Sequence, residues 1–442
     1  MFVAVPLRRL LLVLAVAVGA AVAIRLAWHL QRPARATPDP RAEAQQVLQR
    51  LLDERAKSLL EFDDGPLASH YDLSSRLGKW AYEHEQRRLR YLRAWTEKRR
   101  INLVSARSEV RVTRLQVSKD EIWASLIQSA RLGYIYRDDP TLEKHLFGIG
   151  TRHAIQLVRK DGRWVIRRDW YTDPLDEDEL VPEVTPADVT ASGGILEPFA
   201  RLAASGAARC SPPGVDEPGV AEALPGTRVD GGSGPFGPVL WLLDLLGSIP
   251  RKLSELVSFT AGAASRSWRY NRQAAATYAR TYCGGAWGCG NGGRYNPQYR
   301  DYTDIGGDCT NFASQVLHAG GLPMDSAWYY RKGSGGSRAW VQTGGLLDHL
   351  LGTGRARVLV RGKYADVVMP NDRFPKGAIN ELEPGDLIAY QEKGRVVHFG
   401  AVVGRDFRGY TVVNSHTADR NAVPWDVGWD QATIFWLLKV RD

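Results

Sequence analysis

Gly306-Gly307-Asp308-Cys309-Thr310-Asn311-Phe312-Ala313-Ser314-Gln315-Val316-Leu317-His318-Ala319-Gly320-Gly321 is the stretch from which the rest of this chain is read. Two glycines turn the backbone, Asp308 stands where a helix cap is expected, and Cys309 opens a helix predicted to run to about His318. Phe312, Val316 and Leu317 recur at helical spacing and mark the face that this helix buries. A thiol at a helix start lies beside unsatisfied backbone N–H groups and the positive end of the helix dipole, which favour the thiolate. The same N–H groups are placed to hold the oxyanion of an acyl-transfer intermediate. Cys309 is thus the candidate nucleophile.

Such a thiol needs a base. Val396-Val397-His398-Phe399-Gly400-Ala401-Val402-Val403 reads as a strand, and His398 is the candidate base. The next strand, Tyr410 to Thr417, carries Asn414 and His416, which period-two geometry puts on one face. Either is a candidate for the third member that fixes the imidazole tautomer. Upstream, Tyr270 to Ala279 reads as a helix, followed by a glycine- and aromatic-rich loop holding Cys283, Cys289 and Asn296-Pro297-Gln298-Tyr299. Trp328, Trp340, Tyr299 and Tyr302, on connections rich in glycine, are candidate walls of a substrate groove. The two tyrosines are also the candidates for a side-chain oxyanion donor. A metal site is not expected, because no short-spaced ligand pair accompanies Cys309, His398 and His416.

These motifs resemble the putative amidase domain family of bacterial exported proteins, related to the papain-like NlpC and CHAP hydrolases of the cell wall. The residues that carry the resemblance are Tyr270-Asn271-Arg272 with Ala275 and Tyr278-Ala279, then Asn296-Pro297 with Tyr299. Asp308-Cys309-Thr310-Asn311-Phe312 with Ser314-Gln315 and Gly320-Gly321 continues it, as do Trp328, Trp340, Gly385-Asp386, His398 and His416-Thr417. It covers about 170 residues from Tyr270 onward. The resemblance implies a papain-like α+β fold, Cys309 as nucleophile, His398 as base, no cofactor, and cleavage of an amide bond in peptidoglycan peptides. The loop from Cys283 to Cys289 departs from the family pattern, and a disulfide closing it is expected outside the cell. With Cys309 free, Cys210 is left over as an incidental thiol.

Ahead of this domain the patterning changes twice. Val47, Leu48, Leu51, Leu52, Leu59 and Leu60, then Leu73, Leu77, Trp80, His84, Leu92 and Trp95, fall at helical spacing. Arg107 to Val117, Glu121 to Tyr136, Ile149 to Val158 and Trp164 to Trp170 read as strands, the last two joined by the turn Lys160-Asp161-Gly162-Arg163. Two helices followed by an antiparallel sheet make a small α+β accessory domain over 42–176, cystatin-like in outline. Residues 177–238, rich in Pro, Gly, Ala and Ser, read as a flexible linker, and 239–262 as an apolar amphipathic segment before the domain at 263–442.

At the N-terminus Arg8-Arg9 precede fifteen uncharged residues, Leu10 to Ile24, so residues 1–30 read as a signal or membrane-anchor segment and 31–41 as a spacer. The chain is therefore expected to be exported and membrane-anchored or secreted. A nucleic-acid role is disfavoured by export; an excess of 58 Lys+Arg over 49 Asp+Glu in 442 residues suits anionic cell-wall polymers or a membrane surface. Four cysteines are too few for a disulfide scaffold. Two rivals share the same residues: a non-catalytic wall-binding or scaffold module, and a thiol transpeptidase or acyltransferase.

Overall fold

The structure is a computed structural model that describes residues 20, 25, 40–171, 186–197, 200, 268–429 and 432–442. The N-terminal unit begins with helix α1 (Pro40–Glu61), whose Ala44, Leu48, Leu52 and Leu59 are fully buried at four- and seven-residue steps along one face. Helix α2 (Arg76–Arg99) is capped by the Ser75 side chain, which accepts from the Gly78 N–H, and stops at Arg100 in the left-handed region at φ 55°. Strands β1 (Ile101–Val117), β2 (Glu121–Tyr136), β3 (His145–Lys160) and β4 (Arg163–Tyr171) pair antiparallel in sequence order. The expected hairpin turn between β3 and β4 has Asp161 at φ 49° and Gly162 at φ 77°, the two positive angles that a type I′ turn requires.

In the C-terminal unit, helices α3 (Arg272–Thr281), α4 (Cys309–Ala319) and α5 (Thr343–Gly352) cover one face of an antiparallel sheet. That sheet comprises β5 (Ala356–Gly362), β6 (Leu387–Glu392), β7 (Arg395–Arg405), β8 (Thr411–Ser415), β9 (Asp419–Pro424) and β10 (Ile434–Val440), in spatial order β9-β8-β7-β6-β10-β5. Both faces are apolar. Phe399, Ala401 and Val403 meet Phe312 and Val316 of α4 on one side, while Tyr390, Val402 and Val413 pack with Trp425, Trp429 and Phe435 on the other. The mixture of helices and antiparallel sheet is the expected α+β class.

The two units are not separate bodies. Strand β3 forks: its far half pairs with β4 from His153 to Lys160, and its near half pairs with β9 at Gly148, Ile149 and Gly150. A single ten-stranded sheet therefore runs through both units. The loop between Cys283 and Cys289 lies directly on this junction. A Cβ at Gly150 would stand 2.5 Å from the Gly285 carbonyl carbon, and one at Gly148 would collide with the Trp287 carbonyl, so glycine is required at both. Polar contacts continue the seam: the Tyr134 and Tyr136 hydroxyls each donate to Asp406 Oδ2 at 2.7 Å, and Trp95 Nε1 donates to Asp426 Oδ2 at 3.1 Å.

The linker expected over 177–238 needs a correction at its start. Residues Pro186–Ala191 form a short helix, and Ile195 and Leu196 are buried against Trp123, Ala154 and Trp170. That apolar cover on the open face of β2 to β4 is local order which composition does not announce. The rest of that stretch, the segment 239–262 and nearly all of residues 1–39 lie outside the described residues. Among the described residues no helix is long and apolar enough to cross a membrane.

The N-terminal core holds a buried charge cluster. Glu85 Oε1 accepts from Arg55 Nε at 2.7 Å and from the Tyr171 hydroxyl at 2.5 Å. Burial opposes ionisation, yet Arg55 and Arg88 hold the Glu85 carboxyl down from 4.5 to about 2. Because the folded value lies below the unfolded one, this group's contribution is complete above the unfolded value and drains away as pH falls from 4.5 toward 2. Glu85→Gln is expected to cost about 3–5 kcal/mol, the range for breaking one side of a buried ion pair. It should also flatten the acid limb of stability, read by urea denaturation at neutral pH and near pH 3.

Candidate active site

Gly306 and Gly307, at φ 135° and 110°, deliver the chain into α4, and residues 309 to 317 of that helix are all buried. Asp308 precedes the helix, but its carboxylate makes no capping bond. It turns inward instead. Oδ1 accepts from the Tyr302 N–H at 2.8 Å and from Asn311 Nδ2 at 2.9 Å, and Oδ2 lies 2.6 Å from His416 Nδ1. The Asp308 N–H donates to Thr417 Oγ1 at 2.5 Å. Burial leaves the Asp308 carboxyl above its ordinary value, the hydrogen bond and charge of His416 offsetting only part of that rise.

His416 is held from every side. Its Nε2 lies 2.6 Å from the Tyr282 carbonyl at the end of α3. A carbonyl only accepts, so Nε2 carries a hydrogen. With Asp308 ionised, Nδ1 also donates, and the ring is then an imidazolium between two acceptors. Tyr295 stacks on the imidazole at 3.7 Å and 5°, and Phe312 lies near it at 4.0 Å and 24°. Phe312 follows Cys309 by three residues, which puts their Cβ atoms about 5–6 Å apart on one side of the helix. The ring of His416 therefore packs against the α4 residue one turn beyond Cys309.

His398 is elsewhere. It pairs with Tyr390 across β6 and β7, and its ring centroid is 5.6 Å from Tyr390 and 5.4 Å from Trp429. Those partners belong to the face turned away from α4, whereas the next residue, Phe399, packs with Phe312 and Val316. Neighbours on a strand point to opposite faces, so the sheet separates His398 from Cys309, and the expected pair is not brought together. Asn414 and His416 do share a face, as their spacing predicts. Asn414 braces the strand: its Nδ2 donates to the Ala279 carbonyl at 3.0 Å and to Asn421 Oδ1 at 3.1 Å. It does not touch His398.

The expected Cys283–Cys289 disulfide is present. Cys309 is fully buried and is itself disulfide-bonded, contrary to the expectation of a free thiol there. Cys210, the remaining cysteine of the four, lies outside the described residues. The expected groove aromatics are packing residues instead. Trp328 and Trp340 are fully buried with centroids 4.8 Å apart, their indole N–H groups donating to Ser314 Oγ at 3.0 Å and Asn311 Oδ1 at 2.9 Å. Tyr302 is buried, its hydroxyl accepting from the Gly336 N–H at 3.0 Å. Tyr299 is half-buried against Trp340 and Tyr330. An open cleft of about 330 Å³ lies instead between Glu109, Arg111 and Ser129 of the N-terminal unit and the Gly285–Cys289 loop. Among the described residues no group of three His, Cys, Asp or Glu is arranged to hold a metal ion.

Many of the sequence motifs prove to be braces around this centre. Asn296 Nδ2 donates to the Tyr278 hydroxyl at 3.0 Å, which donates to Gln315 Oε1 at 2.7 Å. Tyr270 donates to the Gly385 carbonyl at 2.8 Å, and Arg272 Nη1 pairs with Asp386 at 2.7 Å. Sequence reasoning missed the inward role of Asp308, the Tyr282 carbonyl and Tyr295. The one available signal was the Asp308-Cys309 adjacency set beside His416-Thr417.

Residues 269–438 match the family described as "Putative amidase domain". That match lies within the C-terminal unit. Among curated proteins, the uncharacterized protein YhbB of Bacillus subtilis (strain 168) is 31% identical over 171 residues, which are 37% of this chain and 46% of that protein. This chain thus spans less than half the length of that relative. Among solved structures, a putative NTF2-like transpeptidase from Campylobacter jejuni is 15% identical at a TM-score of 0.15, covering 27% of this chain and 95% of its own. Rv3472, a protein of unknown function from Mycobacterium tuberculosis, is 17% identical at a TM-score of 0.21, covering 38% of this chain and 95% of its own. Likenesses this faint carry no conclusion about this chain.

Asp308 is the acceptor for Tyr302, Asn311 and His416 together. Asp308→Ala leaves these buried donors unmet, at about 1–3 kcal/mol each, and is expected to destabilise the C-terminal unit by several kcal/mol. Asp308→Asn, which keeps one acceptor oxygen, is expected to cost less; guanidinium denaturation of the two variants checks the order.

Proposed function

We propose that the C-terminal unit is a cysteine-dependent amidase in which Cys309 is the nucleophile and His416, oriented by Asp308, is the acid–base. What carries the reading is an imidazole fixed by a buried carboxylate and packed on Phe312, one turn along the helix that opens at Cys309, in a unit that matches the putative amidase domain family. An imidazolium and a helix N-terminus both lower the pKa of a nearby thiol. The reaction begins once a thiol reductant, itself oxidised to a disulfide, has released Cys309 as a free thiol. The thiolate adds to the amide carbonyl carbon, and the α4 N–H groups receive the oxyanion. The C–N bond breaks as the imidazolium, its Nε2–H released from the Tyr282 carbonyl, gives that proton to the departing amine. A water molecule then attacks the thioester, His416 takes its proton, and the thiolate leaves with a carboxylate as product.

The substrate class in this reading is the peptide of peptidoglycan, and the protein acts outside the cytoplasm in a papain-like arrangement. The basic N-terminal pattern and the surplus of cationic side chains support that location. One observation favours the scaffold rival: Cys309 is tied in a disulfide, where it has no nucleophilic character. In that rival Cys309 is a structural residue and reduction brings no activity.

Four preparations of the full chain separate these readings in a muropeptide-release assay with reductant. Cys309→Ala and His416→Ala are expected to lose at least about 100-fold in kcat, while His398→Ala retains activity within a few-fold. Release that survives Cys309→Ala contradicts the thiol mechanism, and loss confined to His398→Ala returns the base role to that residue. The unreduced wild-type protein is expected to be inactive and to gain activity with dithiothreitol. After mild reduction, Cys309 should react with iodoacetamide with a midpoint below the free-thiol value of about 8.5; a midpoint at or above it supports the scaffold.

A further inference from the structure

One side chain of the N-terminal unit, that of Arg152, reaches the aromatic ring that stacks on His416. We propose that Arg152 of β3 is a positioning residue for His416, so that the acid–base group is completed only when both units are present. This inference rests on the reading of His416 given above.

The argument starts from the alternation of a strand. Gly148, Gly150 and Arg152 lie at every second position of β3 and so share a face. Gly148 and Gly150 leave that face bare, which lets the Gly285–Trp287 backbone settle on it. Arg152 then carries a guanidinium into the same space. Its Nη2 pairs with Asp301 Oδ2 at 2.8 Å, and its centre lies over the Tyr295 ring, 5.0 Å from the centroid. The His416 imidazole stacks on the same Tyr295 ring, parallel at 3.7 Å and so filling the face that it covers. The Tyr295 hydroxyl donates to Asp419 Oδ1 at 2.5 Å, and Asp419 Oδ2 accepts from the Gly285 N–H at 2.7 Å. Asp419 is itself the residue that pairs with Gly150 across the junction.

Tyr295 is thus clamped between a cation from one unit and an imidazole from the other. Its edge is fixed by a carboxylate on the connecting strand. Arg152 favours the stacked ring by attraction to its face, and Asp301 holds the guanidinium in place against rotation. Without the guanidinium, Tyr295 keeps its hydroxyl bond but loses the contact that presses it onto His416. His416 then gains rotational freedom about the Asp308 bond, and a catalytic group off its productive geometry by about 1 Å costs up to about 100-fold in rate.

The test compares Arg152→Ala and Arg152→Lys in the full chain with wild type. For Arg152→Ala the account expects kcat down by about tenfold or more with KM unchanged, and Arg152→Lys restores a substantial part. Independently of activity, the His416 ring C–H resonances in the NMR spectrum should lose the ring-current displacement from Tyr295 in Arg152→Ala and keep most of it in Arg152→Lys. Should Arg152→Ala fail to fold, Arg152→Gln, which keeps a donor for Asp301 without the charge, is read in the same way. Unmoved His416 resonances together with unchanged kcat overturn the proposal. Moved resonances with an active His416→Ala variant would instead sustain the positioning contact while removing the catalytic reading on which it builds.

Discussion

The hydrogen bond between Asp308 and His416, 2.6 Å long and fully buried, ties together the parts of the C-terminal unit that matter for chemistry. One oxygen of the carboxylate organises the approach to α4 through Tyr302 and Asn311, and the other reaches across to the end of β8. The imidazole passes the constraint on to the C-terminus of α3 through the Tyr282 carbonyl. Two helices and the sheet thereby converge on one pair of polar side chains. A buried pair of this kind is worth little to stability against an apolar replacement, but severe when only half of it is removed. Its value is specificity of placement, which is what a catalytic centre needs.

The junction between the units follows from small residues. Two glycines on β3 let a backbone loop come within van der Waals reach, and the Cys283–Cys289 disulfide holds that loop in a compact form. The same loop lies immediately after Tyr282, so the element that seals the seam also bears on the partner of His416. Joining two sheets into one at this point makes the N-terminal unit part of the environment of the site rather than a tethered companion.

Much of the architecture was legible in the sequence because it rests on local chemistry. The helix from Cys309 is announced by Gly306-Gly307 and by Phe312, Val316 and Leu317 at helical spacing, and it runs from Cys309 to Ala319. The strands of the N-terminal unit were legible in number and order, though β1 begins at Ile101 and β3 at His145, ahead of the expected Arg107 and Ile149. The turn at Asp161-Gly162 and the common face of Asn414 and His416 were plain. The orientation of His398 was not legible. Strand β7 is apolar on both sides because the sheet is covered on both sides, and such a strand gives no pattern from which to tell which face meets the cysteine helix. Trp328 and Trp340 misled for a related reason: an aromatic on a glycine-rich connection lines a groove or fills a core equally well, and here each indole N–H has a buried acceptor. Arg152 could not be read at all, since its partners Asp301 and Tyr295 lie more than a hundred residues away on another unit.

The central claim is that His416, fixed by Asp308, is the doubly donating imidazole beside the cysteine helix. Nitrogen-15 NMR of the imidazole ring in the reduced full-length protein at neutral pH measures it directly. The account predicts that both His416 ring nitrogens carry hydrogen, with the Nδ1 proton strongly deshielded by the carboxylate, and that Asp308→Asn abolishes this signature. A His416 ring with one bare nitrogen, or one whose spectrum is indifferent to Asp308→Asn, would contradict it.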